Sequence, residues 1–275
     1  MAAFLHAQFT GSLYGFIDAT LEVASLSLVP VATRLLQPLA PPSTPADARL
    51  SYLLVGWYPL LFFFFCSFVY FCFDTAAPSW VARYKHQGVR GIVPRGAYPR
   101  AVAVALCSWF LVGLPWAWLT AVVLGPLRGA PPPSAPWRAT ELLFHFPCYI
   151  AIIELLFYAS HRLLHAPCLF PWVHKMHHAF TAPFAVAAVY AHPLEHLVSN
   201  ILSISAGPLV MGSHPVSACL WACFCVASTT AAHGGYTFSP DGSHHDVHHQ
   251  RFDKNYGVGV YLLDRVGSTY AEKGE

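Results

Sequence analysis

The chain has 275 residues, of which 56% are hydrophobic and 15% aromatic, while only 10% are charged and the net charge is +2. Soluble domains carry about 25% charged residues, so this composition belongs to a membrane protein. With so little net charge and no stripe of Lys and Arg, a nucleic-acid-binding surface is excluded. The cysteines, among them Cys66, Cys72, Cys107, Cys148, Cys219, Cys223 and Cys225, sit in apolar runs without a Cys-x-x-Cys pair. There reduced Cys acts as a small hydrophobe, so no disulfide framework or thiolate metal site is expected.

Residues 1–50 form an N-terminal segment without the basic region and cleavage site of a secretory signal, so targeting is expected to come from the spans themselves. Within it Gly11 to Val31 is moderately apolar but holds Asp18 and Glu22, and reads as an interfacial helix or a weak span before the loop PLAPPSTPADAR. Residues 51–138 carry two spans, Tyr52 to Phe73 and Ala101 to Gly125; residues 139–275 open with a third, Thr140 to Ser160. Each has the roughly 20 apolar residues that cross a bilayer, and Pro59, Pro115 and Pro147 are expected to kink them. The loop after the first span holds Arg83, Lys85, Arg90, Arg95 and Arg100, whereas GPLRGAPPPSAPWR after the second holds two basic residues. The positive-inside rule puts the first loop in the cytosol. Leu197 to Ala232 is too long for one span and is broken by MGSHP, so it reads as two short helices forming a re-entrant hairpin. The expected fold is all-α, with about four membrane helices including that hairpin and every histidine cluster on the cytosolic side.

Two copies of His-x-x-His-His, at His174, His177 and His178 and at His245, His248 and His249, accompany a His-x-x-x-His at His161 and His165. Spacings of three and four share one face of an α-helix, so each motif can aim its imidazoles inward. Eight ligands exceed the four of a tetrahedral zinc site and imply two metals. His192 and His233 bracket the hairpin and are added as ligands; His196 and His244 read equally well as outer or interfacial histidines, and His6, His86 and His214 as isolated ones. Metal-bound imidazoles usually donate their other N–H to an acceptor. Glu154, with Tyr158, lies on the helical stripe of His161 and His165, and an acid inside a span is a functional candidate. Glu195 and Asp246 stand beside the clusters and complete the outer candidates.

The segments SHRLLH, HKMHHAFTAPF, YAHPLEHLVSN, HGGY, SHHDVHH and the later NYG and LLDRVGS, from about Tyr158 to Thr269, resemble the fatty acid hydroxylase superfamily, which includes sterol desaturases and 4-methylsterol oxidases. The resemblance implies that 139–275 is the hydroxylase domain, that the ten histidines above hold two iron ions, and that a cytosolic helical cap stands over a membrane stem entered by a lipid. HGGY replaces the HSGY or HCGY of relatives, and the chain is expected to lack the dilysine-type tail some of them carry.

The function expected is an oxygen-dependent di-iron monooxygenase that hydroxylates or oxidises a C–H bond of a sterol or fatty acyl chain, in the endoplasmic reticulum and facing the cytosol. The chain has no Gly-x-Gly-x-x-Gly and no heme module, so electrons come from outside, and the family implies cytochrome b5 with its NAD(P)H reductase. The alternative is a non-catalytic sterol- or lipid-binding regulator that keeps the fold.

Overall fold

A computed structural model describes residues 44–76, 78–91, 93–239 and 241–272. The expectation for the N-terminal apolar stretch, Gly11 to Val31, lies outside the described residues. Five helices are long and apolar enough to cross a membrane: α1 (Ala46–Ala76), α2 (Ala97–Leu127), α3 (Thr140–Leu164), α4 (Pro193–Met211) and α5 (Pro215–Gly234). Two shorter helices follow, α6 (Gly242–Arg251) and α7 (Leu262–Val266). Among the described residues there is no β-strand, only an isolated bridge between Lys85 and Tyr236.

Each early span extends beyond its purely apolar run, because polar residues at its ends continue the helix. The prolines are absorbed rather than breaking the rod. A proline lacks an N–H and clashes with the carbonyl four residues back. Wider π-helical turns at Leu53–Trp57, Trp109–Gly113 and Thr120–Leu124 stand just before Pro59, Pro115 and Pro126 and relieve that clash. Pro147 has no such turn and sits inside continuous α-helix.

The Leu197 to Ala232 stretch folds as a hairpin, but its legs are not short. α4 has 19 residues and α5 has 20, about 28–30 Å at 1.5 Å per residue, which matches the bilayer core. The turn between them is fixed by MGSHP: Gly212 takes φ +58 at the end of α4, and His214 caps α5 with Pro215 in its first turn. The His214 ring Nε2 donates to the Ala135 carbonyl at 3.1 Å, and its backbone N–H donates to Glu141 at 2.9 Å. The tip thus packs against the linker between α2 and α3, and His214, read from the sequence as an isolated histidine, is 2% exposed. His145 also finds partners here, with Nδ1 2.8 Å from Ser213 Oγ.

The main core joins α1, α2 and α5 to the buried run 184–191, through residues such as Phe63, Ala101, Phe184 and Tyr190. A second cluster, Tyr149, Trp221 and Cys225, clasps α3 to α5. α3 is the least covered span, with Leu143, Phe144, Leu155 and Leu163 all more than half exposed, as a face turned to lipid requires. The C-terminal end of α3, the N-terminal end of α4 and the C-terminal end of α5 meet at one end of the bundle, and there the histidines gather.

Candidate metal centre

Nine histidines assemble into two adjoining groups. His161, His165, His174, His178 and His248 form one, and His177, His233, His245 and His249 the other, with the ligand atoms of each group within 4.8 Å of one another. Rings of the two groups touch, the centroids of His178 and His249 standing 4.7 Å apart. His161 comes from the last turns of α3 and His165 from its C-cap, His233 from the end of α5, and His245, His248 and His249 from α6.

The motifs do not each present a single face. HKMHH is not α-helical: His174 ends a π-turn opened by Pro171, and His177 and His178 lie on a 3₁₀ turn. Each His-x-x-His-His divides its ligands. The i, i+4 pairs, His174 with His178 and His245 with His249, stay in one group, whereas His177 and His248 cross into the other. The two metal positions are therefore interlocked by both motifs.

The ring geometry tests whether metal fits. His161 Nδ1 donates to the Tyr256 carbonyl at 2.7 Å, His248 Nδ1 to Lys254 at 2.6 Å, His249 Nδ1 to Phe180 at 3.1 Å and His233 Nδ1 to Thr229 at 2.8 Å. His174 Nδ1 lies 2.9 Å from Glu195 Oε2. With its proton on Nδ1, His161 points a bare Nε2 lone pair at His174 Nε2 across 3.1 Å, and His178 Nε2 crowds three others, on His165, His174 and His248, at 3.0–3.2 Å. One ring nitrogen cannot hydrogen-bond three partners at once, and a cation at their centre satisfies them together. Metal–nitrogen bonds of about 2.1 Å at right angles put neighbouring nitrogens about 3.0 Å apart. The Nε2 to Nε2 separations run from 2.9 Å for His233 and His245 to 3.3 Å for His177 and His233. The residues present fit two metal ions, and five nitrogens in the first group exceed a tetrahedral zinc set.

Electrostatics agree with ligation. Burial first, then neighbouring imidazoles, holds His174, His177, His178, His245, His248 and His249 far below the usual histidine range, and His165 is pushed down to about 2. The rings stay neutral, as metal ligands must. Glu195 is 3% exposed, and besides His174 it reaches His177 Nδ1 at 3.9 Å. One carboxylate therefore stands within 4 Å of a histidine of each group.

His192 stands outside both groups. It precedes Pro193, takes an extended conformation and caps α4, its Nδ1 accepting from the Leu194 N–H at 3.2 Å. The stripe of Glu154, Tyr158, His161 and His165 does line up on α3, but it faces the segment 256–269. Glu154 accepts from the Leu263 N–H at 3.1 Å, and Tyr158 OH accepts from Arg162 at 2.6 Å and lies 3.4 Å from Thr269 Oγ1. Asp246 accepts from Gln87 and Gln250 at 2.7 and 2.8 Å, tying α6 to the first loop.

Sequence reasoning missed the braces behind the ligands. Asp264, fully buried, accepts from the N–H groups of Tyr256 and Gly257 at 2.8 and 2.6 Å and from Thr269 Oγ1 at 2.7 Å. It fixes the carbonyl that orients His161. Phe252, Asn255, Tyr261 and Ser268, the non-glycine residues with positive φ among the described ones, all lie between residues 252 and 268, and such conformations persist where surroundings over-determine them. Lys85 is likewise buried, 2.7 Å from Asp74 and donating to the Gly234 carbonyl at 2.6 Å, next to His233. The acid within LLDRVGS was the available signal for Asp264; nothing in the sequence marks a carbonyl.

A cavity of about 760 Å³ starts at His161, His174 and His177 and runs down the bundle. Its lining on α5 extends from His233 to Pro215, about 27 Å at helical rise. A cavity of this size is within the range of small-molecule sites.

Residues 146–269 match the profile of the fatty acid hydroxylase family. The chain is 37% identical over 222 residues to fatty acid hydroxylase domain-containing protein 2 of Macaca fascicularis and 36% identical over 219 residues to that of Homo sapiens. Each alignment covers 77% of this chain and 64% of the relative, so the chain spans a little under two thirds of their length. It is 31% identical to methylsterol monooxygenase 2-2 of Arabidopsis thaliana, over 75% of this chain and 80% of that one. No solved structure matches the chain. A multi-pass helical membrane protein with these motifs at these positions, this chain belongs to the fatty acid hydroxylase family.

Proposed function

We propose that this protein is a membrane-bound non-heme di-iron oxygenase that hydroxylates or oxidises a C–H bond of a lipid, a sterol or a fatty acyl chain. The observation that carries the reading is the pairing of two adjoining all-imidazole groups with a lipid-length cavity that ends on them. The names of the relatives, which include methylsterol monooxygenases, support the same class. When bound, two irons would supply the reduction of dioxygen and the removal of hydrogen from an unactivated C–H bond.

The chain's own residues supply the rest. His161, His165, His174, His178 and His248 would hold one ion, and His177, His233, His245 and His249 the other. Glu195 stands beside His174 and His177 together, and backbone carbonyls, one of them fixed by Asp264, orient His161, His233, His248 and His249. Apolar walls from α2, α3, α4 and α5 exclude water and align the substrate along the bundle. His192, Glu154, Tyr158 and Asp246 take no direct part in this reading; the last three brace the segments that carry ligands.

The first loop sits at the metal end through Lys85, so its basic residues support a cytosolic active site, in the endoplasmic reticulum. Electrons are drawn from a separate donor, cytochrome b5 with its NAD(P)H reductase. The test is metal analysis of the purified protein together with Mössbauer spectroscopy after loading with isotopically enriched iron. Two coupled irons per chain are expected; zinc alone, or an intact fold that takes no metal, refutes the oxygenase and favours a lipid-binding role.

A further inference from the structure

The cavity is largely apolar below the histidine groups, with a polar exception at the start of α4. His196 lines it, is 2% exposed and belongs to neither group. It opens the π-helical stretch His196–Ile201, and π-turns inside helices concentrate at functional positions. Its Nδ1 lies 3.3 Å from the Asn200 side-chain amide nitrogen, and its edge packs on the Trp109 ring with centroids 5.9 Å apart. Nε2, at the opposite corner of the ring, is buried and has no hydrogen-bond partner among the described residues. With Nδ1 accepting from Asn200, the proton resides on Nε2, so the ring holds an unused N–H donor beside the cavity. A buried donor left unmade bears the full cost of its desolvation, and a ligand that supplies an acceptor recovers it.

We propose that His196 Nε2 binds a neutral oxygen of the lipid substrate, a hydroxyl or a carbonyl, and thereby selects which carbon meets the metal pair. The oxygen is neutral because, among the described residues, no lysine or arginine lines this end of the cavity; Arg128, the one of these types on its wall among them, belongs to the far end beside Gly212. The neighbour of His196 in sequence is Glu195, which touches His174 and His177. An oxygen held on His196 therefore keeps nearby carbons at the metal end and sends the hydrocarbon tail down the bundle. The carbon attacked lies a few bonds from the oxygen, not at the remote end of a chain. The fate of the substrate rests on the oxygenase reading, but its recognition does not.

The test reads binding rather than turnover, so it stands whether or not the oxygenase reading does. Full-length, metal-loaded protein in lipid nanodiscs is titrated with matched pairs: cholestanol against cholestane, cholestanone against cholestane, and octadecanol against octadecane. The wild type is expected to prefer the oxygenated member of at least one pair by about tenfold, the worth of one buried hydrogen bond. The pair that shows the preference identifies a ring or a chain lipid. His196→Phe, which fills the space without an N–H, is expected to reduce the preference to about twofold or less while metal content and hydrocarbon binding stay at the wild-type level. His196→Gln, which keeps a donor, restores part of it. Equal affinities within every pair for the wild type overturn the proposal without any variant. So does a preference that survives His196→Phe, or one lost only together with the metal.

Discussion

Glu195 offers the sharpest test of the metal centre. Its carboxylate is buried at 3% exposure, and among the described residues no lysine or arginine pairs with it. A buried carboxylate without a counter-charge costs several kcal/mol, a cost that cations held by the neighbouring neutral imidazoles would offset. Its Oε2 is 2.9 Å from His174 Nδ1 and its Oε1 3.9 Å from His177 Nδ1, one ligand from each group. Loss of such an outer partner costs about 10- to 100-fold in metal affinity, about 1.4–2.7 kcal/mol. Glu195→Ala removes both contacts and is expected to weaken both ions by that factor. Glu195→Gln keeps one acceptor oxygen but turns an NH₂ towards the other imidazole N–H, so one ion is expected to weaken more than the other. The assay is stepwise chelator challenge, with metal per chain measured at each step and the melting temperature followed alongside. Release of both metals from Glu195→Ala at the wild-type chelator midpoint would refute the argument.

Four further substitutions probe the neighbouring parts. His177→Ala leaves three imidazoles in its group, while His248→Ala leaves four in the other; elemental analysis should show the heavier loss for His177→Ala, and full metal in both variants would contradict the interlocked assignment. At Gly257 a Cβ would stand 2.7 Å from Asp264 Oδ2, so Gly257→Ala should displace the Tyr256 carbonyl from His161 and lower affinity about tenfold in the His161 group only, read by the same chelator series. His214 is neutral in the fold, its pKa lowered by burial from 6.5. The unfolded chain takes up a proton that the fold refuses, so stability falls as pH drops below 6.5, by up to about 1.4 kcal/mol per pH unit. His214→Asn keeps a capping acceptor without titrating, and its melting temperature should fall less than that of wild type between about pH 7.5 and about pH 5.5; parallel falls would count against it.

The grouped histidines were legible because a site that could hold a metal draws side chains of one type from short stretches of chain, and all three histidine motifs enter the two groups. Their partition between the ions was not, because it depends on whether a short segment is α, 3₁₀ or π. HKMHH looks helical by spacing, yet Pro171 and the turns around it rotate His177 away from His174 and His178. AHPLEH shows the same limit in one hexapeptide. Pro193 begins α4, which makes His192 the cap with an extended backbone, while His196 enters the helix and is carried inside. Sequence ranked His192 above its neighbour as a ligand; the proline's fixed φ sets His192 outside both histidine groups, where His196 also lies. The spans were found by composition, but the depth of the hairpin was hidden, since its far anchor is the carbonyl of Ala135 in a proline-rich linker. Most of the acceptors that orient the rings, on Tyr256, Lys254, Phe180 and Thr229, are likewise backbone atoms, present at every position and visible only once the chain is folded. Such a site divides naturally: side chains that meet the ion leave a pattern in sequence, whereas the groups that aim them belong to the fold. Substitutions in the second set, such as Gly257→Ala, should therefore change metal affinity at positions that no histidine motif would single out.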